Sequence, residues 1–350
     1  MSRSPSVSTE TVLIASTIGV LTILGLYWYQ RKRKNAVPTK WEPVGKVKNL
    51  FIYPLKSGHR IELETAICTE YGIKMPKSGP SYQFRDRSFL VYKEDDNEFR
   101  TARQYTNMIF IKIAPHPTKE DHFTLDAPRM PTLTVRIPSL KTTPQGEITF
   151  HKGEKIFTLD CGDKAAKWIS NYILGSNSGL RLGFHDTDHR RNICNSHKKY
   201  LGVYPRFRNQ SIGMYTDFTS YLVINQASVD DLNNRIPETN ITALNFRPNI
   251  LVEGENATPY SEDNWNWVKI GDAILYLAKP CTRCVFTTID PETGIKSESN
   301  EPIKTLKKYR MLKDVKNIEL DGSLPVMGNN MGLEKGGVVS VGDVVYVGRN

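Results

Sequence analysis

Hydrophobic and polar positions follow three regimes along this chain. Residues 11–29, TVLIASTIGVLTILGLYWY, form an apolar run without a charge. As a helix, nineteen residues approach the ~20 needed to cross the hydrocarbon core of a bilayer. Tyr27, Trp28 and Tyr29 stand at one end, where amphipathic rings favour the headgroup level, and Arg31–Lys34 follow at once. The basic cluster lies after the run rather than before it, and no small-x-small cleavage pattern follows. The segment therefore reads as a retained anchor rather than a removed leader. The positive-inside rule puts the bulk of the chain on the cytosolic face. Residues 1–10 are then a tail and residues 30–45 a basic linker ending in NAVPTKWEPVG.

From Lys46 the pattern becomes strand-like. Val47–Tyr53, Ser88–Tyr92, Ile109–Ile113, Leu133–Ile137 and Ile148–Leu159 are runs rich in Val, Ile, Phe and Tyr, bounded by Pro, Gly or Asp. The third regime is helical. Asp163–Leu174 spaces Ala166, Ile169, Ile173 and Leu174 for one face, and Gly175–Gly179 ends it. Residues 186–211 are polar and basic and read as a connection. Ser228–Arg235 predicts a short helix with Ser228 as N-cap. Strand-like runs return at Asn249–Glu253, Ala273–Leu277, Val285–Ile289 and Val338–Val347. No repeat of 20–50 residues is present. The series predicts an α+β, mostly β fold built on a sandwich or barrel.

Composition narrows the class. With 350 residues and 39% hydrophobic positions the chain is too apolar to be disordered and long enough for two domains. The formal charge of +10 invites a nucleic-acid reading, but its distribution does not support one. Residues 1–40 hold Arg3, Arg31, Lys32, Arg33, Lys34 and Lys40 against Glu10, which is half of the excess. No RGG run, zinc-finger spacing or repeated basic helix accompanies it. Five cysteines, odd in number and mostly isolated, suit a reducing compartment. Asn209, Asn240 and Asn256 begin Asn-x-Ser/Thr triplets, which matter only in a secretory lumen.

The sharpest chemical signal is KPCTRCVFTTIDPETG over Lys279–Gly294, with Cys281 and Cys284 in a C-x-x-C after a strand-like run. A structural zinc site needs four ligands, and neither a second C-x-x-C nor a His pair of ligand spacing completes one. His185 and His189 are four apart on an Asp- and Arg-rich stretch that reads as surface. A dithiol redox pair and two thiols without function remain open for Cys281 and Cys284. Three further motifs place cations at strand ends: YPLKS with Lys56 and Ser57, FRDRSFL with Arg85 and Arg87 around Asp86, and TALNFRPN with Arg247 between Phe246 and Pro248. Each alone reads as surface charge or a structural ion pair. Together, bidentate Arg donors, a Lys point charge and a Ser hydroxyl would make an anion site. A thiolate beside such cations is a better metal ligand or nucleophile.

In this order behind an apolar anchor, these motifs resemble the mitochondrial amidoxime-reducing component family, built on the MOSC (molybdenum cofactor sulfurase C-terminal) domain. The resemblance runs through YPLKSG (53–58), RDRSFLV (85–91), TARQ (101–104), DCGDKAAKWI (160–169), NFRPNI (245–250), the CTRC–TTIDPETG block (281–294) and VGDVVYVG (341–348). It implies a MOSC N-terminal β-barrel-like domain over 46–175, a connecting segment over 176–206 and a MOSC β-barrel domain over 207–350. It also implies a molybdenum–molybdopterin cofactor. Cys284 matches the cysteine that ligates molybdenum, and thiolate is a soft ligand suited to that metal. Lys56, Ser57, Arg87, Arg247 and Thr282 match positions that contact the pterin and its phosphate, and Asp217 matches a weaker contact. Cys281 reads as a structural thiol.

The implied activity is reduction of N-hydroxylated compounds: amidoximes, hydroxamic acids and N-hydroxyguanidines. No nicotinamide or flavin fingerprint is present, so electrons must arrive from a partner; the resemblance implies NADH, cytochrome b5 reductase and cytochrome b5 as that supply. The implied location is the mitochondrial outer membrane facing the cytosol, with the endoplasmic reticulum membrane as the alternative. The competing function is a cofactor carrier or sulfurtransferase-like protein with a persulfide on Cys284. Two stretches depart from the family pattern: 205–220, with Phe218 where a small polar residue is expected, and 312–337 around Gly328–Asn330. The basic stretch of Arg190, Arg191, Lys198 and Lys199 is a candidate docking surface for an acidic haem protein.

Overall fold

The computed structural model describes residues 36–349 apart from 79–80, 186–188, 194–195, 205, 208 and 237–239. The apolar run 11–29 and Cys194 lie outside the described residues. Among those described, no helix is long and apolar enough to cross a membrane.

The frame is a closed antiparallel ring with one parallel contact. Its strands are β1 (Lys40–Ile52), β2 (Tyr221–Asn225), β3 (Ile250–Glu253), β4 (Trp267–Ile270), β5 (Ala273–Thr282), β6 (Val326–Lys335) and β7 (Val344–Arg349). They pair in the order β3-β2-β6-β5-β4-β7-β1, and β1 returns to β3 to close the ring. Only β2 and β3 run parallel. Ile61–Leu63 adds to β1 outside the ring. Closure removes the open edges that an unpaired sheet exposes.

Strand β1 makes the closure possible. It pairs with β7 through Lys40–Lys46, then with β3 through Lys46–Leu50. Its register shifts between Pro43 and Gly45 and again between Val47 and Asn49, bending it from one neighbour to the other. At the bend a Cβ on Gly45 would lie 2.3 Å from the carbonyl oxygen of Glu253, so only glycine lets β1 approach β3. The last six residues of the expected linker therefore belong to the barrel: β1 begins at Lys40, not Lys46.

The second lobe carries a five-stranded antiparallel sheet, ordered 145–149, 155–160, 180–184, 89–93, 99–100. A three-stranded sheet of 112–115, 122–126 and 133–136 accompanies it. Helix α1 (Asp163–Leu174) has the expected bounds and ends at Gly175 in the left-handed conformation. Its buried face is Ala165, Ala166, Trp168 and Ile169, while Leu174 is exposed. One apolar core runs from Val44 and Val47 of β1 through Phe89 and Ile169 to Val345 and Val347 of β7, so the two lobes share an interior.

Several apolar runs take other forms than their pattern predicts. Ile148–Leu159 is two strands around a 3-10 turn at His151–Gly153. Ile109–Ile113 is split between a 3-10 turn at Thr106–Phe110 and a strand from Lys112. Val338–Val347 divides into Gly337–Ser340 and β7, and Val285–Ile289 is a 3-10 turn over Val285–Thr288. Short apolar runs carry too few residues for periodicity to separate strand from buried turn. The helix expected at 228 starts earlier: α2 (Gln226–Asn234) is capped by Asn225, whose side chain accepts from the Ala227 N–H. Ser228 lies inside it. Its hydroxyl donates to Glu262 at 2.8 Å and accepts from the Tyr260 N–H.

Two measurements check this frame. Gly45→Val should lower stability to urea by ~1–3 kcal/mol, because the added side chain meets fixed backbone. Glu262 is fully buried, and burial pushes its carboxyl up to about 7 against an ordinary value of 4.5. The fold thus favours the protonated form. That stability is present below about 4.5 and lost as pH rises through about 7. Glu262→Gln should therefore stabilise the protein at pH 8, by on the order of 2 kcal/mol, and change little at pH 4.

Candidate functional site

Four chain segments, joined by the Asp217 loop, Arg103 and Asn330, converge on one cleft at the ends of the barrel strands. Its cavity holds about 180 Å³ and opens to solvent. Lys56, Ser57, Arg87, Asp217, Arg247, Thr282 and Cys284 all line it. The structure thus brings every expected site residue together from positions up to the length of the barrel apart in sequence.

The first two segments are laced to each other. As β1 ends, the Tyr53 N–H donates to the Asp86 carboxylate at 2.8 Å and the Arg87 N–H donates to the Tyr53 carbonyl at 2.8 Å. The Lys56 N–H donates to the Phe89 carbonyl at 2.8 Å. Asp86, fully buried, also pairs with the Arg87 guanidinium. In the third segment Thr242 and Asn245 form a capping box over the 3-10 turn Ala243–Phe246, and Arg247 follows it. The Asn245 amide reaches the carbonyls of Thr287 and Ile289, tying this turn to the one after Cys284. The fourth segment is the end of β5. Arg283, between the two cysteines, donates to the Met327 carbonyl at 2.8 and 2.6 Å and to the Phe246 carbonyl at 3.0 Å. That guanidinium is spent on holding the Cys281–Cys284 bend against β6 and the Arg247 turn.

Backbone strain collects here. Ser57, Arg87 and Arg247 have φ of 66°, 50° and 55°, in the left-handed region that side chains other than glycine's avoid. Each such residue costs roughly 1 kcal/mol or more, and such strain gathers at functional sites. In each case the unusual backbone turns a side chain into the cleft.

The electrostatics are lopsided. Among the described residues, Lys56, Arg87, Arg103, Arg247 and Arg283 line the cleft against Asp217 alone. Tyr53 packs against two guanidinium groups, Arg247 at 3.9 Å and Arg87 at 4.6 Å from its ring centre. One terminal nitrogen of Arg247 is buried without a hydrogen-bond partner among the described residues. Burial pushes the Arg247 guanidinium down to about 9. Burial also lowers the Lys56 ammonium, against the pull of Asp217. Lys56 donates to Asp217 at 2.5 Å and to the Tyr215 carbonyl at 3.0 Å. The Asp217 side chain still shows 59% of its surface to the open cleft. Enclosure by the surrounding protein pushes its carboxyl up, but Lys56 and His151 outweigh that and hold it well below the ordinary range. A buried, unpaired guanidinium is costly unless an anion meets it. This cleft is built to receive one.

Cys281 and Cys284 are unbridged and half-buried, and both line the cleft. Among the described residues no group of three or more His, Cys, Asp or Glu side chains could hold a metal ion. A metal at Cys284 would need its remaining ligands from a bound group. One thiolate beside a cradle of cations fits an anionic, sulfur-bearing cofactor and does not fit a protein-only zinc centre.

The motifs alone do not disclose several lining residues. Arg103 stands within a quoted motif, but nothing local marks it as a cleft residue. Asn330 also lines the cleft, with an amide nitrogen buried and unpartnered among the described residues. It lies in the stretch that departs from the family pattern. Phe218 is explained by packing: it lies against Tyr200 and Phe207, and the Lys279 ammonium is 4.1 Å from its ring centre. Two expectations are corrected. His185 is buried beside Tyr215 rather than at the surface. Arg191 is internal and paired with Glu154, so it is not part of a docking surface.

Two domain models match the chain: the MOSC N-terminal beta barrel domain over residues 44–176 and the MOSC domain over 212–346. The chain is 35% identical to mitochondrial amidoxime-reducing component 1 of Mus musculus, across 99% of this chain and 94% of that protein. It is 33% identical to mitochondrial amidoxime-reducing component 1 of Homo sapiens, across 91% and 86%. It is 32% identical to mitochondrial amidoxime reducing component 2 of Bos taurus, across 87% and 84%.

The role of Arg283 gives a direct check. Arg283→Met strands two buried carbonyl groups and should cost ~2–4 kcal/mol in urea unfolding. Arg283→Lys should recover only part of this, because one ammonium cannot reproduce the guanidinium fork.

Proposed function

The chain belongs to the mitochondrial amidoxime-reducing component family, and on that footing we propose that it is a membrane-anchored molybdenum N-reductase. The observation that carries the reading is the unpartnered, buried nitrogen of Arg247, a residue that lines the same cleft as Cys284. The residues fit a molybdenum–molybdopterin group. Lys56, Ser57, Arg87, Arg247 and Thr282 would hold the pterin and its phosphate, and Cys284 would give the metal a thiolate ligand. When bound, that group supplies two-electron redox chemistry at a metal.

The chain's own residues do the rest. Arg283 and Asn245 fix the bend that presents Cys284. The excess of cations stabilises negative charge gained on reduction. Phe218, Phe246 and Phe286 line the apolar side of the cleft, where the carbon frame of an N-hydroxylated substrate would lie. The reaction is N–OH + 2 e⁻ + 2 H⁺ → N–H + H₂O, with amidoximes, hydroxamic acids and N-hydroxyguanidines as substrates. Electrons arrive singly from cytochrome b5, reloaded by its NADH-dependent reductase. The apolar run 11–29 anchors the chain in the mitochondrial outer membrane with the folded part in the cytosol. A shared membrane raises the effective concentration of the three proteins.

Elemental analysis of the full-length detergent-solubilised protein tests this. About one molybdenum per chain is expected in the parent, with benzamidoxime reduction lost in Cys284→Ser at unchanged circular dichroism. Zinc, or no metal from a host that makes the cofactor, would overturn the reading in favour of a carrier or a binding module. Arg247→Met should separate fold from function. It should lose molybdenum, yet the cofactor-free variant should be more stable than the cofactor-free parent by on the order of 1–3 kcal/mol.

A further inference from the structure

The 3-10 turn His151–Gly153 and the loop around Asp217 meet at the mouth of the cleft. Nε2 of His151 lies 2.8 Å from Oδ1 of Asp217, the same oxygen that accepts from Lys56. His151 is partly exposed, with 29% of its side chain accessible, so an unbroken hydrogen-bonded path runs from solvent to a cleft-lining carboxylate. The contact is not a chance meeting of two loops. Glu154, three residues on, makes a two-pronged buried pair with Arg191 at 3.0 and 2.7 Å. The third nitrogen of Arg191 donates to the carbonyls of Gly213, Met214 and Thr216. The turn bearing His151 is thereby clamped to the segment bearing Asp217. Edge-on rings of Phe99 and Phe150, 4.5 and 4.8 Å away, fix the imidazole plane.

We propose that His151 is a proton-relay residue, acting through Asp217 to deliver protons that N–OH reduction consumes in the cleft. This rests on the functional reading above. In each transfer the Nε2–H bond of His151 breaks and an O–H bond forms at Asp217 Oδ1. That proton passes on from Oδ1 to the departing hydroxyl, which becomes water, so Asp217 stays a carboxylate, and solvent protonates the ring at its other nitrogen as it gives up Nε2–H. The two electrons come from the bound redox group, refilled by a one-electron donor protein. Passage through Asp217 is concerted, since Lys56 beside it disfavours a standing neutral carboxyl.

The charged groups facing His151 are Asp217, with Lys56 behind it, Lys152 and Glu154 on its own turn, and Arg191 and His197 across from it. His197 is no substitute: burial pushes it down to about 4. His189 lies stacked on Phe157.

The first test needs no turnover. Ring ¹⁵N shifts in the full-length protein as purified report which nitrogen of His151 carries the proton. The proposal requires Nε2–H toward Asp217 in the neutral ring, with that preference lost in Asp217→Asn. A neutral ring protonated only on Nδ1 overturns it. The second test compares the molybdenum-loaded parent with His151→Gln, which can still donate to Asp217 but cannot relay. A kcat lowered roughly tenfold or more at neutral pH, restored in part by added imidazole at unchanged molybdenum content, is expected. An unchanged pH profile and no response to imidazole would end the relay while leaving the reductase intact. A loaded parent with no N-reductase turnover would end both.

Discussion

A positive charge that the chain itself does not neutralise organises this structure. Most of its buried cations are spent internally. Arg283 serves two backbone carbonyls, Arg191 pairs with Glu154, and Lys279 pairs with Asp321. Arg247 is different: it is half-buried, packed on Tyr53, and keeps one buried nitrogen unpartnered among the described residues. In a low-dielectric interior such a group raises the free energy of the protein unless an anion joins it. The fold combines that cost with three left-handed residues at the cleft that holds Cys284.

The barrel provides the rigidity that keeps such a site formed. Closing it through β1 ties the first described strand to the last and leaves no edge to slip. The cleft lies where β1 and β5 end and the turn before β3 begins, so its side chains leave from points already fixed by ladder hydrogen bonds. The shared core between the lobes serves the same end, because Arg87 and Lys56 must hold their distance from Arg247. The second lobe also contributes the His151 turn, bound to the Asp217 loop through Glu154 and Arg191. Structural ion pairs and functional groups are thus adjacent along the chain but distinct in what they touch.

Much of the outline was legible from residue order. Helix Asp163–Leu174 was bounded by its apolar spacing and its closing glycine, and five of the nine strand runs match or largely overlap a single observed strand. The cleft residues were also legible as types: Lys, Ser and Arg beside strand ends, and a cysteine after one. Where the reading slipped, a distant partner was responsible. Ser228 looked like a helix cap, but Glu262 draws its hydroxyl into the core and Asn225 caps instead. Val285–Thr288 looked like a strand, but the ring is complete without it and it folds into a turn under Asn245. Arg191 looked like surface charge until Glu154 and three carbonyls enclosed it.

The sequence by itself determined the alternation that makes a mostly β chain, the glycine that ends helix α1, and the residue types available for anion and metal chemistry. These depend on neighbours within a few positions, where period and conformational preference act. Only the tertiary structure decided which cations are satisfied and which are left open. It also decided that Tyr53 would pack against two guanidiniums and that His151 would reach Asp217. A hydrogen bond or a buried charge is balanced by whatever group the fold brings within about 3 Å, and that group lies far away in the chain.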